Sequence, residues 1–234
     1  MILSRHDLNF AVNRLPIALK KLMEDKEWED RIFVGGGYLR SIVASEKVND
    51  VDCFVRSVQD AEYLALKLAA KKEDIVKTDN AYTIKGKLVI QIIHRWLFEK
   101  AEDVSNSFDF TICCAVVYYK DKRWQSFCDD AFYMDLAAKR LIYRNPIRNE
   151  DAGGSMLRVL KYYQKGYRIP LDSLANVIGR LVAGVESPVC KLSSVSQFSK
   201  VVCGLLREVD PDIDPNHIAH LPSLEEEESA EEIV

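Results

Sequence analysis

Three consecutive glycines, Gly35, Gly36 and Gly37, lie directly after the apolar segment 31–34 and directly before the helical pattern of 38–44. Glycine lets the backbone turn sharply and approach a ligand closely, and the first turn of a helix offers unpaired N–H groups to an anion. The pattern predicts a strand, a phosphate-binding turn and a helix, although glycines also serve such turns for steric reasons alone. Neither G-x-G-x-x-G nor a G-K-[ST] ending is present, which excludes the dinucleotide-binding and P-loop patterns.

Asp50 and Asp52 lie on the next predicted strand, where they alternate with Val51, Cys53 and Val55. Residues i and i+2 of a strand share a face, so both carboxylates project together while Val51 and Cys53 enter the core. Two like charges side by side repel each other, and a cation bound between them removes that repulsion. The pattern therefore indicates a metal site, and the alternative is an exposed strand face with two solvated acids.

A third carboxylate, Asp109, lies between Phe108 and Phe110 in the segment 108–119, which is rich in β-branched and aromatic residues and predicts one long strand. If that strand lies beside the strand of Asp50 and Asp52, three carboxylates converge. Three oxygen ligands suit one or two Mg²⁺ ions, which also accept phosphate oxygens. The alternative is a strand-end aspartate that caps a local turn.

These motifs together resemble a known family. The stretch 34–41, followed by Asp50-Val51-Asp52, resembles the G-G-x-[VL]-R-D … D-x-D pattern of polymerase-β-type nucleotidyltransferases, and above all the head and neck of bacterial-type CCA-adding enzymes and poly(A) polymerases. Segment 107–112 is similar to their R-R-D-F-T-[IV], and the resemblance covers about residues 30–170. Ser41 stands where the family has Asp, and the neck motif E-D-x-x-R appears as Glu150-Asp151-Ala152-Gly153-Gly154.

The resemblance implies an α+β fold with a nucleotidyltransferase-type mixed sheet and flanking helices, followed by a small helical neck-like domain. It implies an enzyme that transfers a nucleoside monophosphate from ATP or CTP to a hydroxyl, with an RNA 3′ end, as in tRNA, as the expected acceptor. Two alternatives stay open. One is a compact enzyme that modifies a protein or a small molecule, and the other is an inactive scaffold of this fold that binds nucleotide or RNA.

The resemblance also implies roles for individual residues. The implied catalytic and metal-binding residues are Asp50, Asp52 and Asp109, which would hold two Mg²⁺ ions, with Mn²⁺ as an alternative. In this scheme the amides of Gly36 and Gly37 cradle the β- and γ-phosphates. The implied nucleotide-binding residues are Gly35, Gly36, Gly37, Arg40, Ser41 and Arg158.

A basic stretch that also bears tyrosines follows the head. Residues 135–170 hold eight Lys and Arg against three acids. The interleaved tyrosines are Tyr143, Tyr162, Tyr163 and Tyr167. In grooves that bind single-stranded nucleic acid, basic side chains contact phosphates and aromatic rings stack on bases. The expected RNA contacts are Arg148, Lys161 and Lys165. The alternative is an amphipathic helix whose tyrosines pack on the head and whose basic side chains face water.

The coarse pattern of strands and helices, with the resemblance, divides the chain into a head (1–130) and a helical neck-like domain (131–209), and composition sets off an acidic tail (210–234). The tail holds nine of the 36 acidic residues and no Lys or Arg, which leaves 27 acidic against 32 basic residues elsewhere. This charge division suggests an anionic ligand, and the alternative is that the tail is only a solvated, disordered terminus. No apolar run approaches the ~20 residues of a membrane helix, and the charged start is unlike a secretory signal, so we expect no membrane partner. Six cysteines without a C-x-x-C pair predict buried reduced thiols and a cytoplasmic location.

Overall fold

The computed structural model describes residues 1–144 and 152–185, and these contain a seven-stranded mixed sheet with flanking helices. The strands are β1 (Ile32–Gly35), β2 (Asp50–Val55), β3 (Ile75–Lys77), β4 (Ala81–Ile84), β5 (Val89–Ile93), β6 (Ala115–Lys120) and β7 (Arg123–Cys128). The helices are α1 (Arg5–Arg14), α2 (Ile17–Met23), α3 (Gly37–Val43), α4 (Val58–Leu68), α5 (Ala101–Asn106), α6 (Phe132–Ala137), α7 (Ala152–Gln164) and α8 (Leu171–Val185). The predicted α+β class is confirmed. The tail 210–234 and Arg148 lie outside the described residues.

The strand order is β3-β4-β5-β2-β1-β6-β7, and β2 pairs with β5 in parallel while every other neighbouring pair is antiparallel. Helix α4 contacts β2, β4 and β5, and α5 contacts β1, β6 and β7. On the α5 side, Phe33, Phe54 and Val116 pack with Ala101 and Val104 in one buried cluster. Because α5 covers only part of that sheet face, strands β2 to β5 keep half-exposed side chains there.

Most of the predicted elements are present because their local signals are strong. Pro16 splits the predicted helix 8–23 into α1 and α2, since proline lacks the N–H that a helix interior requires. Ser57 caps α4 by accepting a hydrogen bond from the Asp60 N–H at 3.0 Å. The hairpin with Gly86 in its turn is β4–β5. Strands β3 and β7 were not predicted.

The long strand predicted over 108–119 is wrong in its first half. Residues Thr111–Cys113 form a 3₁₀ turn, and β6 begins only at Ala115. The hydroxyl of Thr111 donates to the fully buried carboxylate of Asp135 at 2.6 Å, a tertiary contact that overrides the strand propensity of this segment. In addition, β1 lies between β2 and β6, so the strand after Asp109 does not neighbour the strand of Asp50 and Asp52.

The chain forms two compact units. The first comprises the described residues within Met1–Ile147 and Tyr162–Asn176, and the second those within Arg148–Lys161 and Val177–Val234. The first unit contains the entire sheet and four unpaired cysteines, all buried: Cys53, Cys113, Cys114 and Cys128. Among the described helices, none combines the length and the apolar character that crossing a membrane requires.

Two leucines of α4 test which face of the helix supports the sheet. Leu64 is fully buried and Leu66 is 51% exposed. We expect Leu64→Ala to lower the free energy of unfolding by about 2–5 kcal/mol, because it removes buried methyl groups and leaves a cavity. The matched change Leu66→Ala is expected to shift it by no more than about 0.5 kcal/mol. Urea unfolding followed by circular dichroism measures both, and equal losses would contradict the described packing of α4.

Candidate active site

The pairing of β1 with β2 places the glycine turn beside the two carboxylates. Gly35 lies directly opposite Asp52 in the antiparallel register. Directly opposite residues project to the same sheet face, so Gly35 and Asp52 share one. Asp50 and Asp52 are half-buried, whereas Val51 and Cys53 are fully buried on the other face, which confirms the predicted alternation.

Close packing explains the first two glycines of the turn. A Cβ on Gly35 would come within 2.9 Å of the Ala115 carbonyl oxygen, and one on Gly36 within 2.9 Å of the Phe108 ring. Gly36 also has a φ of 69°, in the region that side chains disfavour. Its N–H donates to the Ala115 carbonyl at 3.2 Å, so this amide is engaged within the protein rather than in the predicted phosphate cradle. Gly37 opens α3, and a Cβ there would meet nothing within 4 Å.

Phe108 forms the boundary between the carboxylates and the apolar cluster. Its ring contacts the glycine turn and meets Phe54 edge-on, with centroids 5.6 Å apart. Phe54 lies on the same face of β2 as Asp50 and Asp52, since these residues are two and four positions apart. The sequence gives no sign of this role for Phe108, because only the fold brings the ring to Gly35.

Asp109 occupies a different environment from Asp50 and Asp52. It is only 5% exposed, its carbonyl oxygen accepts a hydrogen bond from the Arg144 N–H at 2.8 Å, and it contributes to the raised pKa of Tyr162, whose main cause is burial. Among the described residues, no three His, Cys, Asp or Glu side chains are grouped so that they could hold a metal ion. The predicted convergence of three carboxylates is therefore not observed.

The remaining pair, Asp50 and Asp52, still fits a magnesium ion. Mg²⁺ binds to proteins through one or two carboxylates and completes its shell with water and substrate phosphates. Both side chains are half-exposed on one strand face, and Asp50 forms no hydrogen bond or ion pair with any described residue. These two carboxylates would be the protein ligands of such an ion.

Arg40 and Ser41 are buried, contrary to the predicted nucleotide contact. Arg40 is 3% exposed, and its two terminal nitrogens donate to Glu46 Oε2 at 2.6 Å and to Ser41 Oγ at 2.8 Å. Its guanidinium also lies 5.0 Å from the ring centroid of Tyr162 and 5.9 Å from that of Tyr167. Both side chains thus stabilise the packing beneath α3.

Glu46 connects this cluster to the basic segment. Its carboxylate also accepts hydrogen bonds from Lys165 Nζ at 3.3 Å and from the Tyr167 hydroxyl at 3.2 Å. Burial by itself raises the pKa of Glu46, but the hydrogen bond and charge of Arg40, followed by those of Lys165, lower it below its ordinary value. Lys165 is therefore occupied within the protein, in contrast to its predicted RNA contact.

The other predicted contacts of the basic segment lie on α7. Lys161 is exposed there, and α7 ends at Gln164. Arg158 is half-buried on α7 and has an interaction partner.

Three of the four tyrosines that were expected to stack on bases are buried. Tyr143 and Tyr162 pack against Phe110, with centroids 5.6 and 6.2 Å apart, and Tyr167 packs against Tyr162 at 5.8 Å. For these three the alternative, packing on the head, is correct. Tyr163 is 56% exposed, with the Arg168 guanidinium 4.7 Å from its ring centroid.

Gln91 was missed by the sequence analysis. It pairs with Asp52 in the parallel register of β2 and β5, and it is half-buried. It is also the one polar residue of β5, whose sequence is Val-Ile-Gln-Ile-Ile. A lone polar residue in an apolar strand was the available signal.

Comparisons with known proteins agree with this architecture. A family model described as Gad2, Gabija anti-defense 2 family protein, matches residues 11–139. A curated protein of Bacillus phage SPbetaL7, named Gabija anti-defense 2, is 25% identical over 173 residues, which are 72% of this chain and 42% of that protein. The chain thus spans less than half the length of this relative.

Solved structures of CCA-adding enzymes share the fold. The Thermotoga maritima enzyme complexed with tRNA gives a TM-score of 0.55 at 17% identity, covering 92% of this chain and 58% of the other. A complex of a CCA-adding enzyme with ATP gives 0.54 at 18% identity, covering 89% and 57%. A CTP complex gives 0.53 at 18% identity, with the same coverage. At these identities the similarity establishes a nucleotidyltransferase-type fold.

The glycine turn offers a direct test of steric need. We expect Gly36→Ala to destabilise the fold by about 1–3 kcal/mol, because the new methyl group combines an unfavourable φ with contact against Phe108. Gly37→Ala is the matched control and should leave the unfolding midpoint unchanged or slightly raised, since its site is open and alanine favours a helix. Thermal unfolding of both variants checks this, and a tolerated Gly36→Ala would contradict the geometry of the turn.

The cluster of Glu46 predicts a pH-dependent contribution to stability. A carboxyl group whose folded pKa is lowered stabilises the protein above its unfolded pKa, and that contribution is lost as pH falls through the folded pKa. Glu46→Gln should therefore cost about 1–3 kcal/mol near pH 7. The gap to wild type should close as the pH falls below 4.5. Urea unfolding across this range measures the gap, with the exposed Glu62→Gln as control; a gap independent of pH would count against the ionised cluster.

Proposed function

The chain belongs to the Gabija anti-defense 2 family. We propose that it counteracts Gabija defence by acting as a metal-dependent nucleotidyltransferase. In this proposal a nucleoside monophosphate passes from an NTP to a hydroxyl, and pyrophosphate is released. The observation that carries it is the half-exposed pair Asp50 and Asp52, held beside the glycine turn on a sheet of nucleotidyltransferase type. ATP and CTP are the proposed donors, since CCA-adding enzymes of this fold are found with either.

The chemistry follows from where the charges lie. Bound magnesium, with two ions proposed and manganese as the alternative, supplies the charge neutralisation that a triphosphate needs for in-line displacement. Asp50 and Asp52 hold the metal, and the open space at Gly37 admits the β- and γ-phosphates beside the start of α3. The acceptor oxygen bonds to the α-phosphorus, while the bond breaks between that phosphorus and the oxygen bridging the α- and β-phosphates. The hydroxyl proton passes to solvent water.

An RNA end is the proposed acceptor. β5 runs parallel to β2, and Val89 pairs with Asp50, so the turn before β5 lies at the same sheet edge as Asp50. That turn carries Lys85 and Lys87, both exposed, and Lys47 is exposed just before β2. Cations along this edge attract a phosphate backbone. These three lysines support the proposal of an RNA acceptor, whereas the buried tyrosines do not.

A hydroxyl on a protein is the second candidate acceptor. The burial of Tyr143, Tyr162 and Tyr167 favours it, because it removes most of the base-stacking surface that RNA binding was expected to use.

We also propose that residues 1–130 act as the catalytic head and 131–209 as the neck-like domain.

The deciding experiment changes each carboxylate. Asp50→Asn and Asp52→Asn should each lower turnover by at least a hundredfold, because an amide is a poor magnesium ligand. The fold should persist, since removing one charge from a half-exposed pair relieves repulsion and opens no cavity. Asp121→Asn is the matched control. It lies in the turn between β6 and β7, at the opposite sheet edge, in a left-handed conformation that Asn tolerates.

The assay offers labelled NTPs and Mg²⁺ with total RNA, with tRNA, and with the protein alone. Label on RNA supports the first acceptor, and label on protein supports the second. Wild-type turnover in either Asn variant would remove the metal-site proposal. Release of no pyrophosphate with any NTP would favour a scaffold that binds without turnover.

A further inference from the structure

A row of paired residues continues from Asp52 across the sheet, away from the glycine turn. Asp52 pairs with Gln91 of β5, and Gln91 pairs with Thr83 of β4. On the other side Asp52 pairs with Gly35 of β1. Neighbouring strands are about 4.8 Å apart, so the row runs roughly 10 Å from Asp52 to Thr83.

Gln91 and Thr83 present hydrogen-bonding groups on the face of the carboxylates. Both are half-buried, while Ile90 and Ile92 of β5 are buried on the opposite face. Neither polar side chain makes a hydrogen bond or other polar contact with any residue in the described part of the chain. A half-buried amide and hydroxyl are accessible from solvent, and a ligand on this face can take the place of water as their hydrogen-bond partner. Strands β4 and β5 are otherwise mostly apolar, so these two groups stand out beside Asp52.

The positions of Gln91 and Thr83 relative to Asp52 indicate which substrate they contact. In an in-line displacement the attacking oxygen and the leaving pyrophosphate lie on opposite sides of the α-phosphorus. In the proposed function the triphosphate lies at Gly37 and the start of α3, on the β1 side of Asp52. The attacking hydroxyl must then approach from the β5 side of Asp52, where Gln91 and Thr83 lie.

We propose that Gln91 and Thr83 bind the terminal ribose of the acceptor strand and position its hydroxyls beside Asp50 and Asp52. This inference rests on the proposed function, and it makes the two side chains positioning residues for the acceptor. An uncharged amide and a hydroxyl match the vicinal hydroxyls of a ribose, and contact with the 2′-hydroxyl distinguishes RNA from DNA. The site therefore prefers an RNA end to a deoxyribose end.

The test compares two single-stranded RNA oligonucleotides that differ only at the last sugar, ribose in one and 2′-deoxyribose in the other. Fluorescence anisotropy with Mg²⁺ present measures the affinity of each for the full chain. Wild type should bind the ribose-ended strand about five- to tenfold more tightly, the ratio that one hydrogen bond supplies. Gln91→Met and Thr83→Val, which keep the side-chain volume, should each remove most of that preference.

The matched control is Gln59→Leu, which removes an exposed glutamine on α4 and should keep the full preference. Equal binding of the two strands by wild type, or an unchanged preference in Gln91→Met and Thr83→Val, would overturn the proposal. Circular dichroism and Tm confirm that each variant is folded, and Thr83→Val is the milder change because it only replaces a hydroxyl by a methyl group.

Pyrophosphate release separates this inference from the proposed function. If wild type and Asp52→Asn release equally little pyrophosphate while the ribose preference depends on Gln91, the transfer reaction is refuted and the ribose site stands. If transfer depends on Asp52 but the two oligonucleotides bind equally, the ribose site is refuted and the transfer reaction stands. Label on the protein together with equal binding assigns the acceptor to protein and likewise refutes the ribose site.

Discussion

The pairing of Gly35 with Asp52 is the contact on which the site depends. These residues lie opposite one another in an antiparallel pair. The sharp turn at Gly36 therefore begins one residue after the position that faces Asp52. The turn is held by Phe108 and the Ala115 carbonyl, which leave no room for a side chain at Gly35 or Gly36. Packing, rather than a ligand, accounts for these two glycines, and only Gly37 borders open space.

A second constraint lies beneath α3, where Glu46 binds two basic side chains, Arg40 and Lys165, that were predicted to contact nucleotide and RNA. Arg40, Lys165 and Tyr167 all bond to this one carboxylate, and the rings of Tyr162 and Tyr167 cover the guanidinium. Breaking a buried ion pair by removing one partner is costly, because the other charge stays buried without compensation. The basic segment thus serves partly for contacts within the protein, and the proposed RNA binding depends instead on the lysines at the sheet edge of Asp50.

The proposed transfer reaction needs a reaction centre and a surface that selects the acceptor. The two carboxylates of β2 fit the first task with the fewest ligands that magnesium accepts. The second task falls to neighbouring strands, since β4 and β5 extend the same face beyond Asp52. A sheet presents such side chains on rigid elements, so the proposed acceptor-binding residues and metal ligands keep a fixed spacing.

Local pattern alone determined the strand with Asp50 and Asp52, the glycine turn, the split helix at Pro16 and the β4–β5 hairpin. Each of these depends on a period of two, a proline or a glycine, and therefore on residues close in sequence. Tertiary structure alone decided that Asp109 leaves the strand, that Arg40 and the tyrosines turn inward, and that Gln91 stands beside Asp52. Strand order and the competition of Glu46 and Asp135 for distant partners produce these outcomes, and neither leaves a trace in local periodicity.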